Sequence, residues 1–167
     1  MTQNLMDTLI LDESLAAFLQ GPVFINIAAC TAARVPTLMR GYGCQVSADR
    51  RSVTVFVSAA HSASWLLTFT PQTVLAVAFC LGRTHETFQL KGAGTCISPI
   101  SGNDRHFISC YLRDIRKELL VLGYSASYSE AAISDGHGEL LAVTFCPSAV
   151  FNQTPGVSAG QRLVPQP

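Results

Sequence analysis

Charge is scarce in this chain: only 13% of its 167 residues are charged, and eleven basic residues balance eleven acidic ones. That balance removes the long-range positive field on which nucleic-acid or anionic-membrane binding depends, so neither partner is expected and any phosphate must be held locally. Long hydrophobic runs are missing too. The longest, such as Thr73 to Leu81, fall far short of the roughly 20 residues that cross a bilayer as a helix. The sequence does not open on a positively charged segment followed by an apolar one, and the expectation is a cytoplasmic protein. Among the six cysteines, at 30, 44, 80, 96, 110 and 146, there is no Cys-x-x-Cys pair and no spacing with histidine that suits zinc. They read as reduced core residues, since free cysteine behaves as a small hydrophobe. His61, His85, His106 and His137 are likewise too scattered for a metal cluster. There is no Walker loop, and Gly41-Tyr42-Gly43 lacks both the third glycine and the following helix of a dinucleotide-binding fingerprint.

What the chain does have is apolar residues, 49% of the total, in a length suited to one domain that buries roughly two-thirds of its unfolded surface. A single domain over residues 1–167 is expected. Part of the apolar excess suits a subunit interface, whose core is richer in apolar groups than ordinary surface.

Asp12 can cap a short helix carrying Leu15, Phe18 and Leu19, which Gly21-Pro22 stops. Strands then follow at Val23–Cys30, Thr37–Val46 and Ser52–Ser58, with a turn at Ser47-Ala48-Asp49-Arg50. Small polar residues fill Ser58 to Ser64, before a short helix with Trp65, Leu66 and Phe69 that ends at Pro71. A fourth strand, Val74–Leu81, is apolar on both faces. The fifth runs from about His85 to Ile97, with Gln89 and Lys91 on one side and Phe88 and Leu90 on the other. Ser101 and Asn103 can cap a long helix whose stripe is Ile108, Leu112, Ile115, Leu119 and Leu122. A sixth strand, about Leu140 to Phe151, precedes a glycine- and proline-rich tail. Six short strands interrupted by helices that do not alternate with them indicate a mainly β (α+β) fold, an antiparallel barrel with flanking helices rather than a parallel sheet.

Three segments carry polar groups that barrel packing does not need. In Arg40-Gly41-Tyr42-Gly43, an arginine midway along an apolar strand must reach solvent or meet an anion, because a buried unpaired charge is costly. The two glycines mark a sharp bend or a close approach to the backbone. The run Ser58-Ala59-Ala60-His61-Ser62-Ala63-Ser64 offers hydroxyls and backbone donors at the opening of a helix, where free N–H groups and the dipole favour phosphate. In Gln89-Leu90-Lys91-Gly92, an amide and an ammonium project from one strand face. Taken singly, each has a plainer reading: a snorkelling arginine, helix capping, a wet strand face.

In this order, Pro36-Thr37-Leu38-Met39-Arg40-Gly41-Tyr42-Gly43, Phe88-Gln89-Leu90-Lys91-Gly92 and Phe151-Asn152-Gln153-Thr154-Pro155-Gly156 resemble the pyridoxamine 5′-phosphate oxidase-like family of FMN-binding split barrels. The resemblance spans residues 11 to 163. It implies a six-stranded antiparallel split barrel, a homodimer, and FMN in the clefts between subunits. By position, Arg40, Ser58, His61, Ser62 and Ser64 would lie at the phosphate, with the backbone around Gly41 and Tyr42 close to the flavin. Gln89 and Lys91 would meet the polar edge of the ring system, where positive charge stabilises the reduced anion. Thr154, Pro155 and Gly156 would come from the partner subunit and cover the site.

Where the true oxidases carry an arginine-x-histidine pair, this chain reads Gly160-Gln161-Arg162-Leu163-Val164, so oxidation of pyridoxamine phosphate is not expected. The leading function is an FMN-dependent oxidoreductase passing electrons from a small-molecule substrate to an acceptor such as oxygen. No residue stands out as its general base. The alternatives are a non-catalytic flavin-binding, storage or sensing module, a cleft holding deazaflavin or haem with His61, His85 or His106 as ligand, and a plain structural barrel.

Overall fold

The computed structural model describes residues 9–30, 35–66, 69–71, 73–134 and 138–163, with the backbone alone of Ser64, Trp65 and Thr95. Helix α1 (Glu13–Leu19) starts where expected, because Asp12 accepts the Leu15 N–H at 2.7 Å. Strands β1 (Phe24–Cys30), β2 (Pro36–Val46) and β3 (Val53–Ser58) form a meander, and helix α2 (Ala59–Leu66) follows directly. Next come β4 (Val74–Cys80), β5 (Thr87–Pro99), helices α3 (Gly102–Val121) and α4 (Ala126–Ala132), then β6 (Leu140–Asn152) and a two-residue β7 (Arg162–Leu163).

The strand order is β3-β2-β1-β4-β5-β6-β7, and β3 also pairs with β6, so the first six strands close into an antiparallel barrel. Strand alternation fills it. Ile25, Ile27, Val53, Val55, Val57, Leu75, Val77, Phe79, Leu90 and Phe145 point inward and are buried, while the residues between them on each strand turn to the opposite face, part of which α3 covers. Complete burial of a side chain such as Phe79 or Phe145 contributes about 1.5–3 kcal/mol.

Helix α3 plugs one end with Tyr111, Ile115 and Leu119, and Tyr111 donates its hydroxyl proton to the Val23 carbonyl at 2.9 Å. Its start is fixed by a reciprocal cap. Ser101 accepts the Asp104 N–H, and Asp104 accepts the Ser101 N–H. Its end is fixed by Gly123, whose φ of 91° turns the chain back. A second cluster of Tyr42, Phe56, Ile108, Leu140 and Ala142 lies under the first half of α3. No described helix is long and apolar enough to cross a membrane.

Four sequence expectations need correction. Helix α2 starts at Ala59, so the serine run lies within it rather than before it. The bounds of β5 move two residues toward the C-terminus. Helix α4 and strand β7 were not foreseen. Among the cysteines, all are free, yet only Cys44 is buried, and Cys30 and Cys96 are exposed rather than core residues.

Candidate functional site

One face of the sheet is turned away from the core, and the antiparallel register defines its rows. Arg40 of β2 lies opposite Asn26 of β1, Asn26 opposite Ala78 of β4, and Ala78 opposite Gln89 of β5. The adjacent row runs Leu38, Ala28, Ala76 and Lys91. Arg40 and Gln89 are three strand spacings apart, about 14 Å at about 4.8 Å per step, with mostly small side chains between them. A cation and an amide therefore share one face across a shallow alanine-lined floor.

At the first end, continuing the Gly41–Val57 pairing by one residue puts Arg40 beside Ser58, where β3 runs into α2. Ser58 is buried, and its Oγ accepts the His61 N–H at 3.5 Å. The Ala59 N–H is taken by the Glu139 carbonyl. Ser62 is 1% exposed, and its hydroxyl has no hydrogen-bond partner among the described residues. An unsatisfied buried hydroxyl costs about 1–3 kcal/mol, so a polar ligand there would relieve a standing penalty. His61 is exposed on α2; the Ser64 side chain lies outside the described residues. Arg40 Nη1 donates to the Ala132 carbonyl at the C-terminal end of α4, where the helix dipole favours a cation. Among the described residues it meets no carboxylate.

At the far end, Lys91 Nζ sits 5.0 Å over the Phe151 ring, and Gln89 Oε1 accepts from Gln153 Nε2 at 3.4 Å. Phe88 and Leu90 turn to the core, as the alternation requires. Thr154 is tied to its own chain: its Oγ1 accepts the Thr87 N–H at 3.0 Å, and its N–H is donated to Asn152 Oδ1 at 2.9 Å. Pro155 and Gly156 follow, exposed, beyond the end of β6.

Three residues of the Arg40–Gly43 segment have structural roles. A Cβ on Gly41 would meet Ile25 Cγ2 at 2.6 Å and Val55 Cγ1 at 2.8 Å, so core packing accounts for that glycine. Gly43, with φ 129°, carries the bend beside a register shift in β2. Tyr42 is covered by α3. His61, His85 and His106 lie on α2, on the β4–β5 turn and on α3, and are not gathered at one point.

Sequence reasoning missed the cavity of about 470 Å³ that adjoins Arg40, walled by α3, α4 and the β4–β5 turn. Its turn is clamped in place: Arg83 Nε donates to both Glu118 oxygens, at 2.9 and 3.1 Å, and Glu118 is only 1% exposed. That pairing holds the Arg83 guanidinium above its ordinary pKa. The available signal is the pair Tyr124 and Tyr128, at a four-residue spacing after α3.

A closed six-stranded barrel whose outer face carries this row, with helices at its ends, is a split barrel of the kind seen in pyridoxamine 5′-phosphate oxidase-like proteins. Solved structures with the same fold include an F420 reductase, with TM-score 0.53 and 10% identity over 84% of this chain and 98% of that one. HupZ from Group A Streptococcus aligns with TM-score 0.52 and 10% identity, over 90% of this chain and 100% of its own. A candidate pyridoxamine 5′-phosphate oxidase from Lactobacillus delbrueckii aligns with TM-score 0.52 and 11% identity, over 87% and 97%. No protein-family profile matches the chain, and no curated protein does.

Proposed function

We propose that the chain is an FMN-dependent oxidoreductase that works as a homodimer, with the flavin laid across the outer face between Arg40 and Gln89. The observation that carries this reading is the single row joining Arg40, Asn26, Ala78 and Gln89. It offers a cation for a phosphate at one end, an amide for a heterocycle edge at the other, and a floor flat enough for a planar ring. The Ser62 hydroxyl in the first turn of α2, which has no partner among the described residues, supports the phosphate end, since it lacks an acceptor group there.

In this reading Arg40, Ser58 and Ser62 hold the phosphate, with His61 at the opening of α2 beside them. Gln89 hydrogen-bonds the ring edge, and the Lys91 ammonium lies near it and favours negative charge on the reduced ring. Bound FMN would supply hydride or electron transfer between a small substrate and an acceptor such as oxygen. Leu38 and Val74, 72% and 65% exposed on the same face, suit burial against a second subunit, whose Thr154-Pro155-Gly156 segment would cover the site.

The test is ligand selectivity. Arg40→Ala is expected to weaken FMN at least tenfold while leaving riboflavin within about twofold, because a charge-assisted phosphate contact matters only to the phosphorylated ligand. Calorimetric titration of both ligands reads this out. Equal losses would move the phosphate elsewhere, and a colourless protein that FMN does not stabilise thermally would remove the flavin altogether.

A further inference from the structure

We propose that the cavity between α3, α4 and the β4–β5 turn is a second ligand site, built for a small planar aromatic carboxylate. At about 470 Å³ it falls within the range of small-molecule pockets, about 300–1,000 Å³. Its charged and titratable lining is cationic or neutral: Arg40 and His85 border it, and none of the described residues lining it is acidic. The guanidinium carries five donors, of which the Ala132 carbonyl is the described acceptor for one. A cation held in partly apolar surroundings without a carboxylate calls for an anion.

The shape of that anion follows from the remaining walls. Tyr124 and Tyr128 stack with ring centroids 4.7 Å apart and planes within 17°, and both are about half exposed. Each ring covers one face of the other, which leaves an outer aromatic face for a ligand ring. Phe24 and Leu122 add apolar surface to the lining, and both close over Gly82, where a Cβ would meet each of them at 2.8 Å.

His85 stands at the rim of the cavity. It is one of two described non-glycine residues with positive φ, at 59°. Its N–H is donated to the Leu81 carbonyl at 2.8 Å, and its own carbonyl accepts the Thr87 hydroxyl at 2.9 Å. Those two bonds hold the β4–β5 turn in a left-handed conformation common in hairpin connections, and so fix the position of His85 at the rim of the cavity. The Arg83–Glu118 clamp ties this turn to α3, so the rim is positioned before any ligand arrives.

The site goes beyond the flavin reading and is lined by residues of one chain; Arg40 is shared between the two readings, so a bound carboxylate and the FMN phosphate would draw on the same guanidinium. The experiment measures 2-naphthoate binding to the full chain by fluorescence titration, with 2-naphthalenemethanol as the uncharged comparator. Saturable naphthoate binding is expected without FMN, with the alcohol at least tenfold weaker. Leu122→Trp, which fills the cavity from a half-exposed position, is expected to weaken naphthoate at least tenfold and leave FMN affinity unchanged. His85→Ala is expected to weaken naphthoate severalfold more than the alcohol. Equal binding of acid and alcohol, absence of saturation, or indifference to Leu122→Trp would overturn the proposal. A chain that binds naphthoate through this cavity but takes no FMN would uphold this site and overturn the flavin reading alone.

Discussion

Gly41 and Gly92 are both required by packing, but against different neighbours. A Cβ on Gly92 would fall 2.0 Å from the Cys146 carbonyl oxygen, a backbone atom that cannot step aside, where β5 shifts register against β6. At Gly41 the obstacle is the side chains of Ile25 and Val55, which can yield a little. Gly41→Ala is therefore expected to cost about 1–3 kcal/mol by overpacking, read as a lower denaturation midpoint in urea at unchanged slope. The double variant with Ile25→Ala is expected to lose less than the sum of the two, because the space opened by one receives the methyl of the other. An additive result would place the strain elsewhere. At this scale the sequence announced that the glycines matter without saying why: a missing side chain looks the same whether a ligand or a valine fills the gap.

Among the elements, those with local punctuation were the legible ones. Asp12, Gly21-Pro22, Ser101 and the alternating runs of β1, β2 and β6 are written into neighbouring residues, and each element lies within a residue or two of its expected place. Helix α4 was missed because its seven residues, Ala126–Ala132, show no apolar stripe and rest on α3, a tertiary support that no local pattern records. Helix α2 began early because Ser58 acts as its cap, although the serines that follow read equally well as loop. The cap of α1 makes the clearest prediction here. The Leu15 N–H bond, then the Ser14 hydroxyl at 2.7 Å, hold Asp12 below the usual carboxylate pKa. Its folded value being the lower one, Asp12 stabilises the fold fully above about pH 4 and less as the pH falls through that folded value. Asp12→Ala is expected to cost about 1 kcal/mol at neutral pH, whereas Asp12→Asn keeps an acceptor and costs little. Thermal melts from pH 7 to pH 2 check both: the asparagine variant is expected to lose stability less steeply on the acid side than the parent. Parallel acid limbs would show that the cap contributes nothing to the acid sensitivity.

For the whole molecule, the barrel was legible because turn signals and alternation repeat six times, whereas the site depends on which strands become neighbours. Arg40 and Gln89 are 49 residues apart in sequence, and only the β2-β1-β4-β5 order puts them on one row. The same order assembles an outer face on which Leu38 and Val74 stand exposed around Ala28 and Ala76, with Lys91 at the margin. Exposed apolar side chains over a floor of small residues leave a flat, weakly hydrated surface, and a flavin covering only the Arg40–Gln89 row would leave Leu38 and Val74 in water. A second copy of the chain would bury them, and its own Leu38 and Val74 would be buried in return, as a two-fold interface requires. Leu38→Lys with Val74→Lys places two cations in that contact on each subunit, where like charges would meet without partners. Size-exclusion chromatography with light scattering at micromolar concentration is expected to give a dimer for the parent and a monomer for the double variant, with the far-ultraviolet circular dichroism unchanged. FMN affinity is expected to fall with the dimer, because half of each covered cleft is then missing. A dimer that survives both lysines would place the subunit contact on another face, and a monomer that keeps full FMN affinity would assign the whole flavin site to a single barrel.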